Sequence, residues 1–188
     1  SFLGILAIPN KMISEQVFQK SNFKDGIFLN NYLPHDEKSS KDFWKWRKER
    51  KEITIDPISF PLAKNDLEFL RSNRTENTLT FIGHASFLIQ INGLNILTDP
   101  HFTKRASPLS FAGPLRTTPP GISLEDLPEI DLILISHNHY DHLDKGSIKG
   151  ILKSQIKQPM IFTPLKLNKL LEKWGVKNVK GMNWWQST

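Results

Sequence analysis

The chain reads as an α/β protein whose sheet carries both a hairpin and strand–helix units, preceded by an N-terminal arm. Three features predict this. Residues 131–136, Asp-Leu-Ile-Leu-Ile-Ser, are apolar on both faces, the pattern of a strand in a sheet covered on both sides. From residue 131 onward, strand-like runs alternate with helix-like runs, the order of βαβ units. Upstream, Asn92-Gly93 lies between two alternating apolar segments, a strong signal for a two-residue hairpin turn.

The elements follow in order. Residues 1–76 form the arm. Residues 2–9 are apolar, far short of the ~20 needed to span a bilayer. They read equally as the tail of a signal or anchor and as an ordinary buried segment. Residues 35–51 suggest a helix in which Phe43 and Trp46, three apart, share a face. Trp44 then points elsewhere, into core packing or toward a membrane interface or second domain. Pro57 and Pro61 break the chain. Residues 65–72 suggest a short helix with Asn65 as N-cap and Leu67 and Leu70 inward. The regular part, 77–188, opens with strands at 78–83, 86–91 and 94–98, the last stopped by Asp99-Pro100. A loop with five prolines and two glycines fills 100–121, and loops of that length usually carry function. Then come the strand at 131–136, a helix at 144–154, a strand at 160–163, and a helix at 164–174 with Pro164 in its first turn and Gly175 past its end. A final strand falls at 176–182.

Composition narrows the chemistry. The 188 residues suit one domain, or one domain plus an arm, and 38% hydrophobic content is enough to build a core. The absence of cysteine excludes disulfides, thiolate zinc ligands and a cysteine nucleophile. The net charge of +6, mostly lysine, suits an anionic membrane surface or nucleic acid, the plain alternative being a solvated lysine-rich surface.

The chemistry concentrates immediately after the 131–136 strand, in Ser136-His137-Asn138-His139-Tyr140-Asp141-His142-Leu143-Asp144. In extended backbone, residues two apart point the same way, so His137 and His139 can hold one metal together. Asp141 and His142 follow where the chain turns and can serve a second position. Imidazole and carboxylate suit zinc, and also iron or manganese. Two such ions about 3.5–4 Å apart can clamp both oxygens of a displacement.

This His-x-His-x-Asp-His pattern resembles that of the metallo-β-lactamase superfamily, a four-layer αββα fold with a binuclear metal site. The flanks sharpen the resemblance. Gly83-His84-Ala85-Ser86 within 81–89, Asn95 to Pro100, Arg105-Ala106-Ser107-Pro108, Gly113-Pro114, Arg116 and 127–131 are similar to the N-acyl-phosphatidylethanolamine phospholipase D subfamily. The likeness extends over about 42–185 and is strongest over 79–144.

The resemblance implies a zinc phosphodiesterase, with His137 and His139 on one zinc and Asp141 and His142 on the other. A hydroxide bridging the ions attacks phosphorus and releases an N-acylethanolamine and phosphatidic acid. It implies that Asp99 orients the histidine loop and that His84 and Tyr140 lie near the pocket, although His84 also reads as a structural histidine and Tyr140 as packing. Asp144 reads as the N-cap of the next helix. The expected partners are a phospholipid substrate, a peripheral membrane surface and no specific nucleic acid, which leaves a membrane-associated or cytoplasmic setting.

The family's three further ligands, two histidines and an aspartate, have no counterpart in 145–188, where the only acid is Glu172. The sequence therefore resembles the first half of the sandwich, 77–188, expected to pair with a complementing C-terminal half. Other readings are a different hydrolase of the same fold, nuclease or lactonase, and an inactive metal-binding remnant.

Overall fold

The computed structural model describes residues 23–24, 27–29, 39–50 and 61–188. The expectations for residues 2–9 and Pro57, and for the ends of the 35–51 helix, lie outside the described residues. Two compact units divide the chain, one before Pro57 together with Asn183–Thr188, the other Pro57–Met182.

The first unit contains a minimal antiparallel pair, β1 (Phe23–Lys24) and β2 (Ile27–Phe28), and helix α1 (Ser40–Arg50). Ser39 starts α1 by reciprocal capping: the Asp42 amide donates to Ser39 Oγ at 3.2 Å, and the Ser39 amide donates to Asp42 Oδ2 at 2.9 Å. Phe43, Trp44 and Trp46 are all exposed, Trp44 by 62%. Core packing therefore does not claim these aromatics. Trp44 instead stacks edge-on against Phe43, with Arg47 over its ring.

The second unit is a six-stranded mixed sheet with helices. Helix α2 (Leu67–Ser72) precedes β3 (Thr78–Gly83), β4 (Ser86–Ile91) and β5 (Leu94–Thr98), which pair antiparallel in sequence order. Then β6 (Leu132–Leu134), β7 (Met160–Pro164) and β8 (Val179–Met182) add in parallel, with α3 (Lys145–Ser154) and α4 (Leu167–Lys173) as crossovers. The hairpin forms at Asn92-Gly93, where both residues have positive φ (51° and 76°), the requirement of a type I′ turn.

Some boundaries differ from the sequence pattern. Asp66, not Asn65, caps α2, accepting from the Phe69 amide at 3.0 Å; Asn65 instead donates to the Gly121 carbonyl at 2.8 Å. Pro164 ends β7 rather than opening α4, because its pairing with β8 extends the strand to Met182. The apolar run 131–136 yields a strand of only three residues, since Ser136 turns toward Asp99.

One face of the sheet is sealed. Leu88, Leu97, Ile133 and Ile161 meet Ile148 and Ile151 of α3, Leu171 of α4 and Leu70 of α2 in one core. Within it, Gln90 Nε2 donates to the Leu70 carbonyl and to Asn95 Oδ1, and Asn95 Nδ2 donates to the Glu129 carbonyl, so these two buried amides are paired. The opposite face is also apolar: Leu79, Phe81, Phe87, Ile89, Ile96 and Phe162 share it by register. Leu79 and Phe81 are 67% and 59% exposed there. A sheet with one face in water alternates apolar and polar residues along its strands. This one is written to be covered on both.

Candidate metal centre

The candidate residues converge where β5 and β6 end, the carboxyl edge at which open α/β sheets place their sites. Asp99, 6% exposed and with φ of 36°, follows β5 directly. Its Oδ1 accepts from the Ser136 amide at 2.7 Å, and its Oδ2 from Ser136 Oγ at 2.6 Å and from His142 Nδ1 at 2.9 Å. This clasp fixes the loop after β6 and also fixes the tautomer of His142. With Nδ1 donating to the carboxylate, Nε2 keeps a free lone pair.

His142 Nε2 does not stand alone. It lies 3.3 Å from His84 Nε2 and 3.8 Å from Asp141 Oδ2, and the latter two are 2.9 Å apart. His84 reaches this position through the two-residue turn between β3 and β4, where it adopts φ of 56° and Gly83 φ of 145°. The turn is fastened to β5: Thr98 Oγ1 donates to the Ala85 carbonyl, and Ser86 Oγ donates to the Asp99 carbonyl. On the other side, the amides of His142 and Leu143 donate to the His139 carbonyl, curling the chain so that Asp141 and His142 face the same point.

The triangle can be tested against a metal. A tetrahedral ion with ligand bonds of about 2.0–2.1 Å separates its ligands by about 3.3 Å. The three edges average that distance, and His84, Asp141 and His142 are the described residues whose ligand atoms cluster tightly enough to hold an ion. Two imidazole nitrogens and a carboxylate are a donor set suited to zinc, iron or manganese. The residues present therefore fit a divalent cation.

His137 and His139 lie alongside. Their rings sit 4.5 Å apart, and His137 stacks at 4.0 Å on His142. Ser136 Oγ is 2.9 Å from His137 Nδ1. Burial, then the neighbouring His142 and His139, holds His137 below the ordinary imidazole range, which keeps it neutral and able to ligate. Burial alone would push Asp141 up, but its backbone hydrogen bond and the nearby His142, His84 and His139 outweigh that and hold its carboxyl below the usual range. Tyr140 is exposed, and Asp144 caps α3, accepting from the Gly146 and Ser147 amides.

His84 and Asp141 open onto a cavity of about 780 Å³. One part of its wall is apolar, including Leu62, Leu79, Phe81 and Leu115; another carries His101 and Arg116. His101 was not marked by the sequence pattern. Its only signal is its place two residues after Asp99.

The family model described as the β-lactamase superfamily domain matches residues 78–187. An N-acyl-phosphatidylethanolamine-hydrolyzing phospholipase D of Caenorhabditis elegans is 43% identical over 116 residues, covering 58% of this chain and 32% of the relative. An uncharacterized protein of Mycobacterium tuberculosis is 31% identical over 192 residues, covering 98% of this chain and 50% of the relative. Among solved structures, an isothiocyanate hydrolase from Delia radicum gut bacteria matches at 25% identity and TM-score 0.44, over 55% of this chain and 41% of that one. The chain spans half or less of the length of these relatives. With a family model over more than half of its residues and the His-x-His-x-Asp-His motif after β6, the chain belongs to the metallo-β-lactamase superfamily, with N-acyl-phosphatidylethanolamine phospholipase D enzymes among its relatives.

Proposed function

We propose that this chain supplies the metal-binding first half of a metal-dependent phosphodiester hydrolase acting on N-acylphosphatidylethanolamine, yielding N-acylethanolamine and phosphatidic acid. The observation that carries the reading is the His84–Asp141–His142 triangle opening onto a cavity that is apolar along one wall and cationic along another. A phospholipid has that same division: acyl chains for Leu62 and Leu115, and an anionic phosphate near the metal ligands. The name of the C. elegans relative supports this lipid.

The chain's own groups divide the work. His142, held by Asp99, presents Nε2, and His84 and Asp141 complete the triangle, with His137 and His139 offering nitrogens beside it. A divalent ion bound here supplies Lewis acidity, lowering the pKa of water toward neutrality and offsetting phosphoryl charge. Asp141 stays anionic at neutral pH and offsets the ion's charge. The apolar wall excludes water from the reacting phosphate and sets its depth.

The exposed apolar residues of the open sheet face support a further layer of the same fold that covers it. The test has two arms. Purified 1–188 should bind zinc yet hydrolyse N-acylphosphatidylethanolamine negligibly. Supplied with the second half of the mycobacterial relative, it should hydrolyse that lipid in preference to RNA. Preference for RNA or for a lactone would move the reading to another hydrolase of this fold. Zinc binding without hydrolysis in either arm would leave the inactive metal-binding remnant, and failure to bind zinc would refute the metal centre.

A further inference from the structure

We infer that Arg116 and His101 form an oxyanion subsite in the cavity wall, built to hold the non-bridging oxygens of a phosphodiester beside the metal centre. This deepens the phosphodiesterase reading and rests on it only for the identity of the diester.

The argument starts from an incomplete pairing. Arg116 is half-buried, and no carboxylate lies within ion-pair distance of it among the described residues. Its Nε donates to the Thr103 carbonyl at 3.4 Å, and one terminal nitrogen donates to the His101 carbonyl and to His101 Nδ1. The other terminal nitrogen has no hydrogen-bond partner among the described residues and lies over Gly83, where an added Cβ would come within 3.2 Å of it. Partly desolvating a guanidinium is costly, and the Asp144 carboxylate offsets that cost only in part. The cost shows as a lowered Arg116 pKa, caused first by burial. A planar fork with one edge anchored and the other open is the geometry that receives a phosphate oxygen.

His101 adds a second donor. It is 5% exposed, and its Nδ1 accepts from Arg116, so its proton sits on Nε2. That Nε2 is buried and has no partner. Buried polar side-chain atoms are rarely left so, and an unmet donor calls for an acceptor. Both residues line the same cavity as His84 and Asp141. The Asp141 carboxylate lines the same cavity and weakens, without abolishing, anion binding there until a cation occupies the triangle.

The subsite is tested without metal, so that it can fail independently of the proposed hydrolysis. Inorganic phosphate and dimethyl phosphate are titrated into metal-free 1–188, and binding is followed by NMR at the Arg116 side-chain Nε–H in the parent and at the backbone amide of Gly83, beneath the guanidinium, in the parent and every variant. The expected result is a saturable shift with both probes. Arg116→Lys, which keeps the charge but loses the fork, should weaken binding about ten-fold or more, as loss of a charge-assisted hydrogen bond predicts. His101→Asn keeps an acceptor for Arg116 while removing the Nε2 proton, and should weaken it several-fold. Arg105→Gln, on the same loop with its guanidinium on the Gly113 carbonyl, should change nothing. The absence of a saturable shift, or equal weakening by Arg105→Gln and Arg116→Lys, overturns the subsite. A response to inorganic phosphate alone overturns its assignment to a diester. Zinc titration of the same variants separates the two proposals: zinc binding with no phosphate response sinks only the subsite, and the converse sinks only the metal centre.

Discussion

Replacing Asp99 with asparagine should damage metal binding more than folding. Asp99 Oδ1 accepts the Ser136 amide, and the side-chain carbonyl of an asparagine can keep that bond. The other oxygen accepts from Ser136 Oγ and from His142 Nδ1. In Asp99→Asn this position becomes an NH2 group, which can only donate. Ser136 adapts, because a hydroxyl rotates and accepts instead. His142 cannot adapt without moving its proton to Nε2, and Nε2 is the atom that faces His84 and Asp141.

The stability loss should therefore be one hydrogen bond to a charged group, about 1.5–3 kcal/mol. The metal loss should be in the range for residues that orient a ligating histidine, about 10–100-fold. Denaturant unfolding in chelator gives the first number and zinc calorimetry the second, while NMR of the His142 ring nitrogens reports the tautomer directly. If Asp99→Asn binds zinc as tightly as the parent and leaves the proton on Nδ1, the clasp does not set the metal centre and the reasoning fails.

Other consequences follow from the same structure. His84→Ala should weaken binding of the first zinc by more than about a hundred-fold, beyond the orienting range, because it removes one corner of the triangle; an unchanged isotherm would exclude His84 as a ligand. Burial, then Arg116, holds the His101 pKa below its ordinary value. The unfolded chain therefore takes up this proton first as pH falls below about 6.5, so stability is full above that pH and declines below it. His101→Asn should flatten that decline in urea titrations from pH 7 to 5, and parallel curves would contradict it. Leu97→Ala, at a fully buried centre of the sealed face, should cost about 2–5 kcal/mol by denaturant unfolding. Charges at Leu79 and Phe81 on the open face should leave stability nearly unchanged and reduce self-association in sedimentation velocity, whereas a large loss of stability would show that face to be already covered.

The parts of the fold that were legible in the sequence are those whose cause is local. Asn92-Gly93 specifies its turn because both residues tolerate positive φ, and Asp144 caps α3 with its own side chain. Boundaries set by tertiary pairing were not legible. Pro164 suits a first helical turn, yet the parallel partner at Met182 draws it into β7. Asn65 suits an N-cap, yet a carbonyl 56 residues away takes its amide.

The site divides along the same line. His137, His139, Asp141 and His142 announce themselves because one short loop carries them. His84 is marked only by the likeness of its hairpin and His101 not at all, because their proximity depends on β3 and β4 turning at His84-Ala85 and on Ser86 and Thr98 fastening that turn to the end of β5. The φ of 56° at His84 is uncommon for a residue with a Cβ and costs of order 1–3 kcal/mol unless the surroundings impose it. Here they impose it with two hydroxyl bridges from residues that no ligand motif includes. The chain thus spends local strain to aim one imidazole at Asp141 and His142, and this is the strongest structural reason to treat His84 as part of the metal centre rather than as a bystander beside it.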